Sequence, residues 1–272
     1  MNNVYIMSAN RSAIGGFGGT LKNHCPVDLG TLVAKEAIAR SGFEANEVEH
    51  AVFGNVIHTE PRDMYVSRVI ALQAGMDKAS AALTVNRLCG SGLQAIVSAS
   101  QILMLGDASV AMAGGVEVMS NGAHIVQGFR WGSRMGDGQV HDMMLGALHD
   151  PFGHGHMGIT AENISSRYQI SREMQDEFAL TSQKRAYEAI ENGAFKDQIL
   201  PIEIKTRKGI EIFEIDEHPK PETSMETLTG LRTAFKKDGV VTAGNASGIN
   251  DGASALVLAN EEKAKSGKPL AR

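Results

Sequence analysis

Cys89 is the residue of this chain best suited to covalent chemistry. It lies in the stretch TVNRLCGSGLQAIVSASQIL, residues 84–103, between a short β-branched run and a Gly-Ser-Gly turn that leads into a helical pattern. The most common role of a free cysteine is that of a small core hydrophobe. The alternative is a nucleophile, because the carboxyl ends of parallel strands face the ligand crevice and a helix N-terminus stabilises a thiolate.

A nucleophilic thiol needs more help than a helix supplies. Lowering a thiol pKa from about 8.5 to about 7 requires about 2 kcal/mol, whereas a helix N-terminus contributes about 0.3–1 kcal/mol. The nucleophile hypothesis therefore predicts a base or cation nearby, and histidine is the usual choice.

The elements that position Cys89 are a predicted strand at residues 83–86 and a helix that ends at Gly106. The helix has an apolar stripe that is predicted to face the core: Leu93, Ile96, Val97, Ser100, Leu103 and Met104. Further strands are predicted at residues 4–8, 51–57 and 110–114, with helices at 27–40 and 64–74. This alternation indicates an α/β fold with a mostly parallel sheet and helices on both faces.

Composition predicts a globular protein of a reducing compartment. The chain has 272 residues, of which 43% are hydrophobic and 21% charged, as in ordinary folded proteins. Its net charge of −5 argues against nucleic-acid binding. We expect no secretory signal, no membrane-spanning segment and no disulfide framework, and therefore a cytoplasmic location.

The pattern changes after Ser120. Residues 121–158 are rich in Gly, His and Met without a sustained period, which is typical of functional or disordered excursions. A helix is predicted to begin after the N-cap Ser171 and to end before Gly193. A hairpin is predicted around residues 208–209, and a buried strand at 253–262 is predicted to rejoin the first sheet.

The segment VNRLCGSGLQAI around Cys89 resembles the active-site segment of the thiolase family. Five more segments occur in thiolase order: RSAIGGFGGTLK, FGNVIHTEPRDM, AGGVEVMS, HMGITAEN and GVVTAGNASGINDGASALVL. The resemblance covers the chain from Met1 to Arg272. The stretches GNVIHTEPRDMYVSR and RWGSRMGD are most similar to the bacterial β-ketothiolases among the acetyl-CoA acetyltransferases.

The resemblance implies a fold of βαβαβαββ halves with a loop domain inserted in the first half. We expect residues 1–120 and 249–272 to form the N-terminal α/β core, and residues 121–248 to form the inserted CoA-binding loop domain. The implied activity is acyl transfer through an acyl-Cys89 intermediate. Two acetyl-CoA, or acetyl-CoA and a short acyl-CoA, would undergo Claisen condensation to a 3-ketoacyl-CoA, or the reverse thiolysis would occur.

The resemblance also implies the ligand, the partners and the contacts. Coenzyme A and acyl-CoA would be substrates, with no permanently bound cofactor, and the protein would be a homo-oligomer, a dimer or a tetramer. Ser247 would bond the pantetheine, and His156 and Met157 would flank the reacting thioester. Lys220 replaces the usual Arg, so it keeps the charge for a CoA phosphate but loses the bidentate fork. The pantetheine channel would be lined by Leu231, Phe235 and Ala243.

Other roles are open for these residues. Leu231, Phe235 and Met157 are equally expected in a core, and Ser247 in a turn. The basic residues Lys205, Arg207 and Lys208 are either a solvated hairpin tip or, as part of the loop domain, an attraction for CoA phosphates.

Three weaker signals are interpreted as structural. Residues 15–19, GGFGG, follow a strand, but Leu21 stands where a G-x-G-x-x-G motif needs its last glycine. No metal site is expected, because no standard zinc spacing fits His149, Asp150, His154 and His156. Cys25 is interpreted as a small core residue.

Three motifs of the second half of a thiolase do not occur in these residues: Gly-His-Pro, Asn-Glu-Ala-Phe and Cys-x-Gly-Gly-Gly. None of the nine histidines lies in a matching context. We therefore expect the base for Cys89, and a partner that covers an apolar face of the sheet, to come from a thiolase C-terminal half. A non-catalytic acyl-CoA-binding or assembly role stays open.

Overall fold

The computed structural model describes residues 3–132 and 134–272. The strands are β1 (Val4–Ser12), β2 (Gly15–Gly16), β3 (His50–Gly54), β4 (Ala81–Val85), β5 (Val110–Val118), β6 (His124–Val126), β7 (Val140–Asp142), β8 (His149–Asp150), β9 (Gly155–His156), β10 (Ile199–Leu200), β11 (Ile202–Thr206), β12 (Gly209–Phe213) and β13 (Asn250–Asn260). The α-helices are α1 (Pro26–Ser41), α2 (Val66–Gln73), α3 (Ser91–Leu105), α4 (Met143–Leu148), α5 (Met157–Tyr168), α6 (Arg172–Glu191), α7 (Met225–Thr229) and α8 (Glu261–Ala264).

The described residues form two compact units. The first unit contains residues 3–123, 197–215 and 250–272. The second unit contains the described residues of 124–196 and 216–249.

A mixed sheet is the framework of the first unit. Its strand order is β10-β1-β13-β5-β3-β4, and the short β2 pairs with β13. β3 runs parallel to β4 and β5, and β10 runs parallel to β1, whereas β13 is antiparallel to both β1 and β5. The predicted return of a late strand to the first sheet is confirmed, and that strand is central.

Helices cover both faces of this sheet, as predicted. One face packs against α3 through a hydrophobic cluster that includes Val52, Ala111, Ala113 and Leu258. Val116 is an odd number of residues from Ala113 and therefore points to the opposite face. There it meets α1, because a Cβ at Gly30 would lie 3.4 Å from Val116 Cγ1.

The face of α3 that contacts the sheet differs from the predicted stripe. The fully buried residues on its inner face are Ala95, Ala99 and Leu103. The predicted stripe residues that are exposed instead are Leu93, Val97 and Met104. The prediction was wrong for these three because small side chains let the helix lie close to the sheet, so the larger apolar side chains face outwards. Gly106 ends the helix in the left-handed conformation, as predicted.

One segment is long and apolar enough to cross a membrane by length and composition alone, Leu88–Leu105. The sequence analysis did not anticipate such a segment. In the structure its helical part is α3, whose inner face lies in the hydrophobic core of the first unit. The segment is therefore one layer of an α/β unit here.

The hairpin predicted around residues 208–209 is formed by β11 and β12. It belongs to the first unit, although it was predicted within the insertion 121–248. The preceding strand β10 pairs with β1, and Arg40 of α1 donates to the carbonyl of Asp197 at 2.5 Å. The basic residues of the hairpin are therefore also placed in the first unit: Lys205, Arg207 and Lys208.

Buried carboxylates organise the second unit. Asp176 is fully buried in α6, where it bonds Arg172 Nε at 2.6 Å and Asn245 Nδ2 at 2.9 Å. Glu162 of α5 is 3% exposed and accepts the backbone N–H groups of residues 240–241 at 2.8–3.0 Å. These bonds fix residues 240–245 against the two helices. The N-cap of α6 is formed as predicted, since Ser171 Oγ accepts the N–H of Met174.

Candidate functional site

The thiol of Cys89 is exposed, on a turn between β4 and α3. The residue directly follows Leu88, whose φ of 48° is in the left-handed region that leucine rarely adopts. Asn86 Oδ1 accepts the N–H of Leu88 at 3.0 Å and so supports this conformation. An exposed thiol excludes the core role for Cys89 and leaves the sulfur accessible to a reactant.

Ser91 joins the two sides of this turn. Its hydroxyl accepts the N–H of Arg87 at 2.8 Å and donates to the carbonyl of Leu88 at 2.6 Å. The N–H of Gly90 also bonds the carbonyl of Arg87 at 3.1 Å. The side chain at the first position of α3 thus fixes the backbone on which Cys89 is carried.

The glycine at the end of β3 lets the start of α3 lie directly on the sheet. A Cβ at Gly54, the last residue of β3, would be 2.7 Å from Ser91 Cβ and 3.0 Å from the Gly92 nitrogen. A Cβ at Gly115 of β5 would be 3.5 Å from Gly92 Cα. The predicted location of Cys89, at the carboxyl ends of parallel strands and beside a helix N-terminus, is confirmed.

In the second unit, the ring of His156 is held in one orientation and one tautomer. As the N-cap of α5, its Nδ1 accepts the N–H of Gly158 at 3.0 Å, so the neutral ring carries its proton on Nε2. The ring stacks on Phe235 with centroids 4.8 Å apart and meets His149 edge-on at 5.1 Å. Burial, and then the proximity of His149, lower the pKa of His156 and favour the neutral form.

The other residues expected to contact CoA are mostly exposed. Met157 is 43% and Leu231 38% exposed, which argues against the core role that the sequence left open for them. The remaining exposed members of the set are Lys220, Ala243 and Ser247, and Phe235 is half-buried beneath His156. Ala243 lies within the segment 240–245 that Glu162 and Asn245 hold.

Comparison with known proteins identifies the family. The model of the thiolase N-terminal domain matches residues 4–262. The chain belongs to the thiolase family. It is 54% identical to beta-ketothiolase BktB of Cupriavidus necator over 272 residues, 99% of this chain and 69% of that protein. It is 45% identical to the acetyl-CoA acetyltransferase of Escherichia coli, over 100% of this chain and 70% of that protein.

Solved thiolase structures have the same fold. The crystal structure of the Bacillus anthracis acetyl-CoA acetyltransferase, 46% identical, matches with a TM-score of 0.95 over 100% of this chain and 68% of that chain. Human mitochondrial 3-ketoacyl-CoA thiolase in complex with CoA, 38% identical, matches with a TM-score of 0.93 over 97% of this chain and 66% of that chain. This thiolase chain thus has the α/β fold of an acyltransferase family and spans about two thirds of the length of these relatives.

The second thiol of this thiolase chain has a different environment. Cys25 is half-buried, with its sulfur 2.9 Å from Asp28 Oδ2 and 3.1 Å from Arg62 Nη2. Burial, followed by the hydrogen bond to Asp28, raises the pKa of Cys25 to about 11. A thiol in this state is protonated near neutral pH, so the structure does not make it a second nucleophile.

The histidine-rich segment at residues 149–156 forms a strand pair and a contact between a histidine and an aspartate. β8 and β9 pair His149 with His156, and His154 Nε2 lies 3.8 Å from Asp150 Oδ2. Within residues 3–132 and 134–272, no three His, Cys, Asp or Glu side chains converge on a common point as metal ligands would.

Sequence reasoning missed the residues that hold these candidate site residues in place. Ser91 and Glu162 lie inside the quoted motifs CGSG and HMGITAEN, so their motifs were noticed but their roles were not. Asp176 and the left-handed Leu88 gave no local signal. The role of Asp176 follows from its bond to Asn245, which is distant in the sequence, whereas the backbone of Leu88 is supported by the nearby Asn86.

Proposed function

We propose that this chain carries the acyl-accepting cysteine of a thiolase acting on short acyl-CoA thioesters. The observation that carries the proposal is the exposed thiol of Cys89 on a braced turn at the start of α3. The identity of 54% to a beta-ketothiolase supports the reaction class. The substrates would be two acetyl-CoA, or acetyl-CoA and a short acyl-CoA, and the product a 3-ketoacyl-CoA.

The reaction would proceed in two displacements at carbonyl carbon. The Cys89 thiolate attacks the thioester carbonyl of acyl-CoA, the bond to the CoA sulfur breaks, and CoA leaves as a thiolate that takes up a proton. A second acetyl-CoA, deprotonated at its methyl carbon, then attacks the acyl-cysteine. The new carbon–carbon bond displaces the Cys89 thiolate, and thiolysis is the reverse.

The second unit would hold the CoA thioester. The Nε2–H of neutral His156 is a hydrogen-bond donor suited to a thioester or amide carbonyl. Exposed Leu231 and Met157 offer apolar contact for the pantetheine, Ala243 would line the same channel, and Ser247 offers a hydroxyl. Lys220 offers a single positive charge for a phosphate.

Acylation of the chain by acetyl-CoA tests the proposal. We expect intact-protein mass spectrometry to show one acetyl group on Cys89, absent from Cys89→Ser and retained by the matched control Cys25→Ser. Acetoacetyl-CoA and CoA are then supplied with and without a thiolase C-terminal half added in trans, and loss of the 3-ketoacyl absorbance is followed. No adduct and no turnover in either mixture would refute the proposed activity.

The second candidate is acyl-CoA binding without turnover. The neutral His156 beside exposed apolar side chains favours it, because these groups suit a thioester whether or not it reacts. Titration calorimetry with CoA separates the two candidates: heat of binding without an acetyl adduct supports this second function, and no binding excludes it. We further propose a homo-oligomer and a cytoplasmic location; the two free thiols support the reducing location.

A further inference from the structure

Glu117 lies close to the Cys89 turn, although it is not part of it. It follows Gly115 by two residues on β5, so its side chain emerges on the same face of the sheet as α3. Gly115 lies beneath Gly92. Glu117 therefore lies two residues further along β5 than the point where the start of α3 contacts the sheet.

The Glu117 carboxylate holds the loop that leaves β3. Oε2 accepts the N–H of Val56 at 2.9 Å, and Oε1 accepts the N–H of Ile57 at 2.9 Å and Asn55 Nδ2 at 3.3 Å. The next part of the loop is held by a second carboxylate, Asp63, which is fully buried and accepts the N–H groups of residues 59–60.

This loop is in direct contact with the Cys89 turn. Asn55 donates its backbone N–H to the carbonyl of Val85 at 3.2 Å, the last residue of β4 before the turn. Gly54, directly before the loop, lies against Ser91, whose hydroxyl bridges the turn. A shift of residues 54–57 would therefore move both the entry and the exit of the turn.

We propose that Glu117 is a positioning residue for Cys89: its carboxylate fixes loop 55–57, and the loop in turn fixes the turn that presents the thiol to the acyl group. This inference rests on the proposed function of Cys89. The charge of Glu117 matters because an ionised carboxylate accepts three N–H groups better than an amide or a protonated acid does.

The ionisation of Glu117 supports a test near neutral pH. Burial raises the pKa of Glu117 to about 7, partly opposed by the N–H groups of Ile57 and Val56 and assisted by the charge of Asp63. The carboxylate is thus ionised above about pH 7 and protonated below it. Loop 55–57 should be held more firmly on the alkaline side of this value.

The experiment measures alkylation of Cys89 by iodoacetamide in a Cys25→Ser background, in which Cys89 is the only thiol. Glu117→Gln is compared with Glu203→Gln, an exposed glutamate on a strand of the same unit. We expect the rate at pH 7 to fall about 2- to 5-fold in Glu117→Gln, because loop 55–57 no longer fixes the turn that presents the sulfur.

The direction of the change distinguishes positioning from charge. Removing a nearby negative charge would by itself favour the thiolate and raise the rate at pH 7. A raised rate, or a profile equal to that of Glu203→Gln, overturns the proposal. A variant that has unfolded is recognised by its melting curve.

A second measurement uses the unaltered side chain. Hydrogen exchange at the amides of Val56 and Ile57, corrected for intrinsic pH dependence, should show protection that falls as the pH is lowered from 8 to 6. Constant protection across this range contradicts the proposal even if Glu117→Gln does not fold. Neither measurement uses acyl transfer, so failure of acylation with a Glu117-dependent thiol rejects the proposed function while the positioning role stands.

Discussion

The two thiols of this chain differ in their surroundings, and only those of Cys25 hold the thiol in its protonated form. Cys89 is exposed at the start of a helix, whereas Cys25 shares its hydrogen bond with a carboxylate. The sequence letters around Cys25 contain the nearby Asp28 but not Arg62, which reaches the sulfur through the fold. Reactivity is therefore a property of the site and not of the residue type.

Alkylation should separate the two thiols. At pH 8 we expect Cys89 to be modified first, with Cys25 at least about 10-fold slower, because a pKa of about 11 leaves little thiolate. The rate at Cys25 should rise about tenfold per pH unit until about pH 11. Asp28→Asn should accelerate Cys25 and leave Cys89 unaffected. Peptide mapping by mass spectrometry measures both rates, and equal rates at pH 8 would disprove the assignment.

Backbone strain at Leu88 can be tested with a β-branched side chain. Leu88→Ile should lower the free energy of unfolding by about 1–2 kcal/mol, because β-branching is poorly tolerated at a φ of 48°. Leu88 is 52% exposed, so few packing contacts change. The control is Leu105→Ile, since Leu105 is 77% exposed in α3 with helical backbone. Urea denaturation compares the two, and equal effects would argue against strain at residue 88.

At the scale of elements, α3 lies close to the sheet because the residues at their contact have small side chains or none. At Gly54 a Cβ would be too close to Ser91, and the small, buried Ala95 and Ala99 continue the close approach along the helix. The position of Cys89 thus depends on the small size of these residues. Added volume at such a contact is expected to move the helix or strain the strands.

Gly54→Ala should displace the start of α3. Its Cβ would be 2.7 Å from Ser91 Cβ and 2.8 Å from the Ser91 carbonyl carbon, distances that require movement of backbone. We expect a loss of about 1–3 kcal/mol in unfolding free energy and slower alkylation of Cys89. In the matched change Gly146→Ala, the new Cβ meets nothing within 4 Å. Thermal denaturation compares the stability of the two variants. An unchanged stability of Gly54→Ala would show that the start of α3 accommodates the added Cβ without cost.

The predictability of this fold differs between elements for physical reasons. Helix ends that depend on local residues, such as Ser171 and Gly106, were predicted because caps act within one turn. The inner face of α3 was not predicted correctly, because the helix is apolar on both sides and the hydrophobic periodicity cannot show which side is buried. The assignment of residues 197–215 failed since it depends on pairing of β10 with β1.

The candidate site, like the fold, was predictable where it depends on local sequence and not where it depends on tertiary contacts. Cys89 and its position beside a helix N-terminus follow from a local pattern. The contacts of Ser91 with Arg87 are also local, but the bonds from Glu117 to residues 56–57 connect segments 60 residues apart or more. Such bonds depend on strand order, which the sequence pattern alone does not supply.

At the scale of the whole molecule, the first unit exposes apolar side chains that a folded domain normally covers. The outer side of α3 has Leu93 at 69% and Val97 at 42% exposure, and the edge strand β4 exposes Leu83 at 44%. Neighbouring apolar side chains of this size usually mark an interaction surface. We expect this surface, defined by these three residues, to bind a second copy or a thiolase C-terminal half.

Charge on this surface should weaken association. Leu93→Glu combined with Val97→Lys is expected to shift the chain towards the monomer in light scattering coupled to size exclusion. Ile210→Glu, a matched change at an exposed leucine-sized side chain of the hairpin, should have no such effect. An oligomer that resists the double change, or a wild-type chain that is already monomeric, would count against this surface.

The central place of β13 has a consequence for how the chain folds during synthesis. Val4 pairs with Asn260, so β1 lacks its partner on this side until residues 250–260 have been made. Until then the middle of the sheet is open at β1 and β5, and those edges are prone to wrong pairing. The residues of the second unit are made during this delay. Maturation of the first unit should therefore be slow and should wait for β13, with a dependence on holdase chaperones that a chain circularly permuted to begin with β13 would lose.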